Sequence, residues 1–467
     1  MSDLFDFLKY CLGAKSDVNK VIAGIDWKML YSFAFKQALL GLCFDGIERL
    51  GKEYPEELKL NQIGRELLMI WMAKAQQIRR QNMKVNAVAD KLFSMLREDG
   101  FRCCILKGQG NALMYPNPYS RTPGDIDVWI DASRERIMEY AQKKYELGDD
   151  IRLQHLETSL DGVPVELHFF PCSMNNPIYH ARLQKWFKRN ADLQCSHIVG
   201  LPDGAGDIAI PTTAFNVVYQ LTHLYHHFFD EGIGMRQIID YFLVVNDFSK
   251  NVFLDYDFSN HPVPLSKEGS TFSPSPSQWS LHPLRFPRFR GTETSGSGDV
   301  TAPSRCSEPL RSKDGGPKRS SPNCAGWDRR DAIGDMTSVT AFTDSSATAA
   351  RSSSTAIDRV QEELKELRLW KFAGGIMYIM QEVFGMPASR LIVPPNEKYG
   401  KFVLNEVLEA GNFGKHDARN RFGRLKLGHN LQRVYRDIRL VKFFPAEALC
   451  EPLFRTWHFF WRLKYKK

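Results

Sequence analysis

Two short stretches alternate apolar with acidic residues, and that pattern suits only strands buried on one side. The first reads Gly124-Asp125-Ile126-Asp127-Val128-Trp129-Ile130, the second Val163-Pro164-Val165-Glu166-Leu167-His168-Phe169. Strand side chains alternate between faces, so Asp125 and Asp127 point one way and Ile126, Val128 and Ile130 the other. By the same rule Glu166 and His168 share a face opposite Val165, Leu167 and Phe169. If the two strands pair, three carboxylates converge. Such a cluster repels itself unless cations fill it, and hard oxygen donors suit Mg²⁺ or Mn²⁺. Asp125, Asp127 and Glu166 are therefore the candidate metal ligands.

Upstream, Arg102-Cys103-Cys104-Ile105-Leu106 reads as a buried strand running into Lys107-Gly108-Gln109-Gly110. A strand, a glycine turn and a helix in that order aim backbone N–H groups at an anion. The succession of strand, glycine turn, Asp-x-Asp strand and later acidic strand resembles the nucleotidyltransferase superfamily, whose catalytic core is shared with DNA polymerase β. The stretch from Leu106-Lys107-Gly108 through Tyr115-Pro116, with Arg121 and Asp125-Ile126-Asp127, resembles the bacterial uncharacterised nucleotidyltransferase family in particular. So do Val165-Glu166-Leu167-His168, Gly232-Ile233-Gly234-Met235-Arg236-Gln237 and Gly411-Asn412-Phe413-Gly414-Lys415. The superfamily turn usually reads Gly-Ser or Gly-Gly, and here it is Gly108-Gln109. The resemblance implies an α+β fold: a small mixed sheet of polymerase β type, flanked by helical regions on both sides.

The 467 residues suffice for two or three domains, and the formal charge of +8 permits a polyanionic partner without requiring one. Nucleic acid is thus a possible partner that nothing specifically indicates. Nine cysteines show no paired metal spacing, so a reduced, cytoplasmic compartment is expected. The start Met1-Ser2-Asp3-Leu4 lacks a basic region, so no signal peptide is expected. No apolar run approaches bilayer length, so no stable membrane insertion is expected either.

Residues 1–99 read as helical, with a long amphipathic pattern from Ile63 to Leu96. Residues 100–202 alternate strand and helix and form the expected catalytic core. Ser133 is a candidate N-cap, and Asp161-Gly162 marks a hairpin turn. Residues 203–255 return to helix, broken at Gly232-Ile233-Gly234. Residues 256–356 are dense in Ser, Thr, Pro, Gly and Arg with no sustained period, and read as a disordered or inserted segment. Helix resumes over 357–467. At its end Trp457, Phe459, Phe460 and Trp461 interleave with basic residues. The plainer reading packs those aromatics on the core, and the alternative is a membrane or nucleic-acid surface.

These expectations define a metal-dependent transfer of a nucleoside monophosphate from an NTP to an acceptor hydroxyl, releasing pyrophosphate. Asp125 and Asp127 would share two ions, and Glu166 would ligate the ion beside the acceptor and help take its proton. Lys107, Gly108, Gln109, Gly110 and Arg121 would hold the phosphates. His168 can orient a ligand or be structural. His223 and His227 are four apart on an expected helix, without the glutamate of a zinc protease, and with Tyr219 can line the cleft. Arg236 and Asp240 form an expected ion pair with a possible substrate-side role. Two other readings compete: a non-catalytic nucleotide-binding or toxin–antitoxin partner protein, and a glycosyltransferase using Asp-x-Asp. The roughly hundred helical residues before a single strand argue against the latter.

Overall fold

The computed structural model describes residues 2–14, 17–145, 147, 152–257, 345–419 and 426–465. Residues 1–261 and 344–467 form one compact unit; the second unit, 262–343, lies outside the described residues, and with it most of the segment read as an insert. Backbone helix runs to Asp257 on one side of that segment and restarts at Ser345 on the other.

Four strands make one mixed sheet: β1 (Cys103–Leu106), β2 (Ile126–Ile130), β3 (His155–Leu160) and β4 (Val163–His168), in the order β1-β2-β4-β3. β1 runs antiparallel to β2, β2 parallel to β4, and β3 antiparallel to β4. The β3–β4 turn is the expected Asp161-Gly162, both at positive φ (50° and 71°). Two such residues match the turn's twist to that of the strands. A two-stranded sheet, β5 (Ile198–Gly200) with β6 (Asp207–Ala209), follows.

The helix Arg65–Glu98 covers one face of the main sheet. Its Val85, Ala89, Leu92 and Leu96 pack with Ile105, Ile126, Val128, Ile130, Val165 and Leu167, the residues that alternation assigned to the core. The opposite face is apolar at one end, where Cys104, Leu106 and Trp129 meet helices Pro177–Ser196 and Thr213–Asp230. Trp129 stacks on Phe215 at 6.1 Å and Phe215 on Trp186 at 4.5 Å. At its other end the same face carries the acidic residues. Ser133 caps the helix Arg134–Lys144 by accepting from the Arg136 N–H. The N-terminal and C-terminal helices share a single apolar core, from Leu4 and Phe7 to Phe372, Met377 and Phe444.

The glycine bend at 232–234 separates Thr213–Asp230 from Met235–Asp257 and rests on a second glycine turn. A β-carbon on Gly234 would lie 2.7 Å from the Asn412 Cα, and one on Gly414 would lie 2.0 Å from the Glu231 carbonyl oxygen. Only bare backbone lets these turns touch.

The last helix, Pro445–Tyr465, corrects one expectation. Trp457, Phe459 and Phe460 are 50%, 51% and 63% exposed and do not pack on the core. This helix pairs mainly with Lys426–Val441, and a single neighbouring helix cannot cover aromatics distributed around its circumference. No described helix is long and apolar enough to cross a membrane.

Candidate active site

Asp127 and Glu166 are register partners on the parallel strands β2 and β4. Their side chains leave the same face, and Asp127 is buried. Asp125 stands one residue before β2, at the exposed mouth of the cluster. The Asp127 charge, then lost hydration and Glu166, raise its carboxyl to about 6. The Asp127 and Glu166 charges are thus close enough to oppose ionisation of Asp125.

The protein supplies part of the neutralising charge itself. Lys107 Nζ donates to Asp127 Oδ1 at 3.0 Å, and His168 Nε2 lies 3.0 Å from both Asp127 Oδ1 and Glu166 Oε2. Burial opposes ionisation of Asp127, yet Lys107 and His168 hold its carboxyl far below the ordinary range. Burial likewise opposes charge on His168, but hydrogen bonds to Asp127 and Glu166 lift it to about 9. Lys107 is kept charged against its own burial by Asp127, Asp125 and Glu166. Three carboxylates thus face two cations, which leaves negative charge at the mouth.

Lys107 reaches Asp127 because of its backbone. It directly follows Leu106, the β1 partner of Asp127, and holds φ 51°, a region rare for any residue with a β-carbon. The helix Gly108–Ala112 begins immediately after it, and Gly108 faces the Asp125 backbone. Gln109 is buried and bonds Asn86 of the long helix, while Gly110 packs against Ile210. Those two residues of the turn contribute to its anchoring.

A chain of polar contacts continues from Lys107 into Thr213–Asp230. Lys107 Nζ lies 2.7 Å from His223 Nε2, which lies 3.0 Å from His227 Nε2. The Lys107 ammonium can only donate, so neutral His223 accepts it on Nε2 and carries its own hydrogen on Nδ1. Burial, then Lys107, keeps His223 neutral, and burial with His226 lowers His227 to about 3. Tyr219, by contrast, is core: its ring packs on Phe187 and Phe215.

Arg121 is turned inward. Its Nε and Nη2 both donate to Asp240 at 2.9 Å, and Tyr115 donates to the same carboxylate at 2.8 Å. Arg236 is the more distant partner of Asp240, at 3.6 Å. Asn82 of the long helix donates to the Arg121 carbonyl at 2.8 Å. Arg121 is thus placed to brace the loop before β2, with its guanidinium already held by a carboxylate.

Two residues near this centre were not anticipated. His155 on β3 faces His168 across the ladder, with ring centroids 4.9 Å apart, and its Nδ1 lies 3.3 Å from Glu166 Oε2. Burial and the charge on His168 push it down to about 2, so it is a neutral imidazole. Counting outward from the Asp161-Gly162 turn pairs 155 with 168, so this neighbour was legible. Phe413, at φ 54°, lies edge-on to His227 at 5.5 Å and beneath Arg236 at 5.7 Å. It belongs to the second glycine turn, and no local pattern announces that contact. A separate cleft of about 300 Å³, lined by Gly110, Met114, Ile210, Thr213, Asp247 and Lys250, shares only Gly110 with the expected site residues.

Residues 23–259 match a family described as an uncharacterised nucleotidyltransferase, and the chain belongs to that family. Among solved structures, an antigenic nucleotidyltransferase-like protein from Paracoccidioides brasiliensis is similar at 16% identity, over 34% of this chain and 75% of that one, with a TM-score of 0.24. No curated protein matches the chain.

Proposed function

We propose that this chain transfers a nucleoside monophosphate from an NTP to an acceptor hydroxyl, with pyrophosphate as leaving group. The observation that carries the reading is the register pairing of Asp127 with Glu166, with Asp125 at the mouth beside them. The donor set fits hard divalent cations: three carboxylates gathered on one face of the two central strands, with more negative charge than Lys107 and His168 cancel. When bound, two Mg²⁺ or Mn²⁺ ions would activate the acceptor oxygen and neutralise the leaving phosphates. Asp125 and Asp127 would hold both ions, and Glu166 the one beside the acceptor.

The chain's own groups perform the remaining tasks. Glu166 accepts the proton of the acceptor hydroxyl. Lys107, tethered between Asp127 and His223, offers its ammonium to a phosphate oxygen that approaches Gly108. The first N–H groups of Gly108–Ala112, which a helix does not pair internally, would add donors to the same phosphate. Neutral His223 and His227 keep Lys107 oriented without adding charge. Asp240 holds Arg121 at 2.9 Å and Arg236 only at 3.6 Å, so Arg236 is the less committed of the two cations.

The test is incubation of the purified chain and a cell extract with labelled ATP, CTP, GTP or UTP and Mg²⁺ or Mn²⁺. Label transfer that Asp127→Asn abolishes is the expected result. Nucleotide binding without turnover would favour the non-catalytic reading, which one observation supports: Lys107 and His168 both pair with Asp127.

A further inference from the structure

The nitrogen ligands around Glu166 carry an inference that does not depend on nucleotidyl transfer. His155 is 7% exposed, and both its ring nitrogens are buried without a hydrogen-bond partner. An imidazole with two unsatisfied nitrogens is costly to bury. One of those nitrogens, Nδ1, lies 3.3 Å from Glu166 Oε2. On the other side of the same carboxylate stands His168 Nε2, at 3.0 Å. One ligand atom from each of His155, Glu166 and His168 lies within 4.8 Å of the others, the spacing of atoms that share one ion.

We propose that His155, Glu166 and His168 form a site for a first-row transition-metal ion such as Zn²⁺, which shares Glu166 with the carboxylate site of Asp125 and Asp127 and differs from it in its two nitrogen ligands. Two imidazoles and one carboxylate suit Zn²⁺, Co²⁺ or Mn²⁺, whereas Mg²⁺ prefers oxygen and keeps its waters. The site arises from strand register: β3 and β4 pair His155 with His168, and both project on the face of Glu166. Its second layer is present as well. His168 Nδ1 lies 3.3 Å from the Gln154 side-chain amide, and Ser173 Oγ donates to that amide's oxygen at 3.3 Å. Gln154 Nε2 also donates to the Pro171 carbonyl at 3.1 Å, which fixes that amide beside the His168 ring.

The experiment titrates the full metal-free chain with Zn²⁺ in the presence of millimolar Mg²⁺, using a chromophoric chelator as competitor, and then with Co²⁺ as a spectroscopic probe. The expected result is one equivalent of Zn²⁺ that Mg²⁺ does not displace, and Co²⁺ absorption of a nitrogen-coordinated, four-coordinate ion. His155→Ala should weaken Zn²⁺ at least about tenfold, the loss that even an outer-layer partner causes. Asp125→Asn should keep it. Unchanged Zn²⁺ affinity in His155→Ala, or displacement by Mg²⁺, overturns the proposal. Should His155→Ala unfold, the wild-type Co²⁺ spectrum decides, because a weak six-coordinate oxygen spectrum also overturns it. Failure here, with Mg²⁺-dependent label transfer still lost in Asp127→Asn, would leave the proposed function standing.

Discussion

Arg121 grips Asp240 with two parallel hydrogen bonds of 2.9 Å across 119 positions of sequence, and both side chains are buried. A buried carboxylate deprived of such a partner keeps its charge without compensation. Arg121→Met should therefore destabilise the chain by about 3 kcal/mol or more, read as a lowered urea midpoint. Adding Asp240→Leu should restore part of the loss, because the stranded charge goes with it. An additive double variant would show that the pair is not coupled.

Lys107 offers a second test. It links Asp127 to His223, and with His168 it is one of the two cations in contact with the carboxylates. Lys107→Met should lower turnover by about 10² or more, the scale of removing one preorganised charge-stabilising donor. Single-turnover label transfer under saturating NTP measures it. Wild-type turnover in the variant would assign Lys107 a structural role.

The contact between the two glycine turns predicts a contrast. Gly234→Ala would place a methyl 2.7 Å from the Asn412 backbone, so the bend before Arg236 must move. A cost of about 1–3 kcal/mol follows from such overpacking, with a lower thermal midpoint. Gly51, inside the helix Leu40–Glu53, meets only Leu58 Cδ2 at 3.9 Å. Gly51→Ala should leave stability unchanged or raise it by up to about 1 kcal/mol, since alanine loses less entropy in a helix.

Glu447 predicts a pH dependence. It is buried and accepts from the backbone N–H groups of Asn175 and Asn176. Burial outweighs those donors and raises its carboxyl to about 7. Below the ordinary glutamate range both folded and unfolded chains hold the proton. Between that range and pH 7 the unfolded chain releases it while the folded chain keeps it, so stability falls as pH rises. The full loss, on the order of 3 kcal/mol, is reached above pH 7. Glu447→Gln removes this contribution, so the stability difference between wild type and variant should change between pH 4 and 8. A constant difference would contradict the prediction.

By itself the sequence determined the strands and their faces. Alternation put Ile126, Val128, Ile130, Val165 and Leu167 in one core and Asp127, Glu166 and His168 on the other side, because a strand's two-residue period is a local property. The Asp161-Gly162 turn set the β3–β4 register for the same reason. Tertiary structure alone decided which cations serve which carboxylates. Lys107 met Asp127 and His223, Arg121 met Asp240, and Phe413 met His227, across separations of 20 to 186 residues. Those meetings depend on how helices dock on the sheet, a balance of packing and burial that leaves no periodic trace in the chain. The exposed aromatics of Pro445–Tyr465 show the same limit: composition said they were apolar, and only the absence of a covering neighbour among the described residues left them in water.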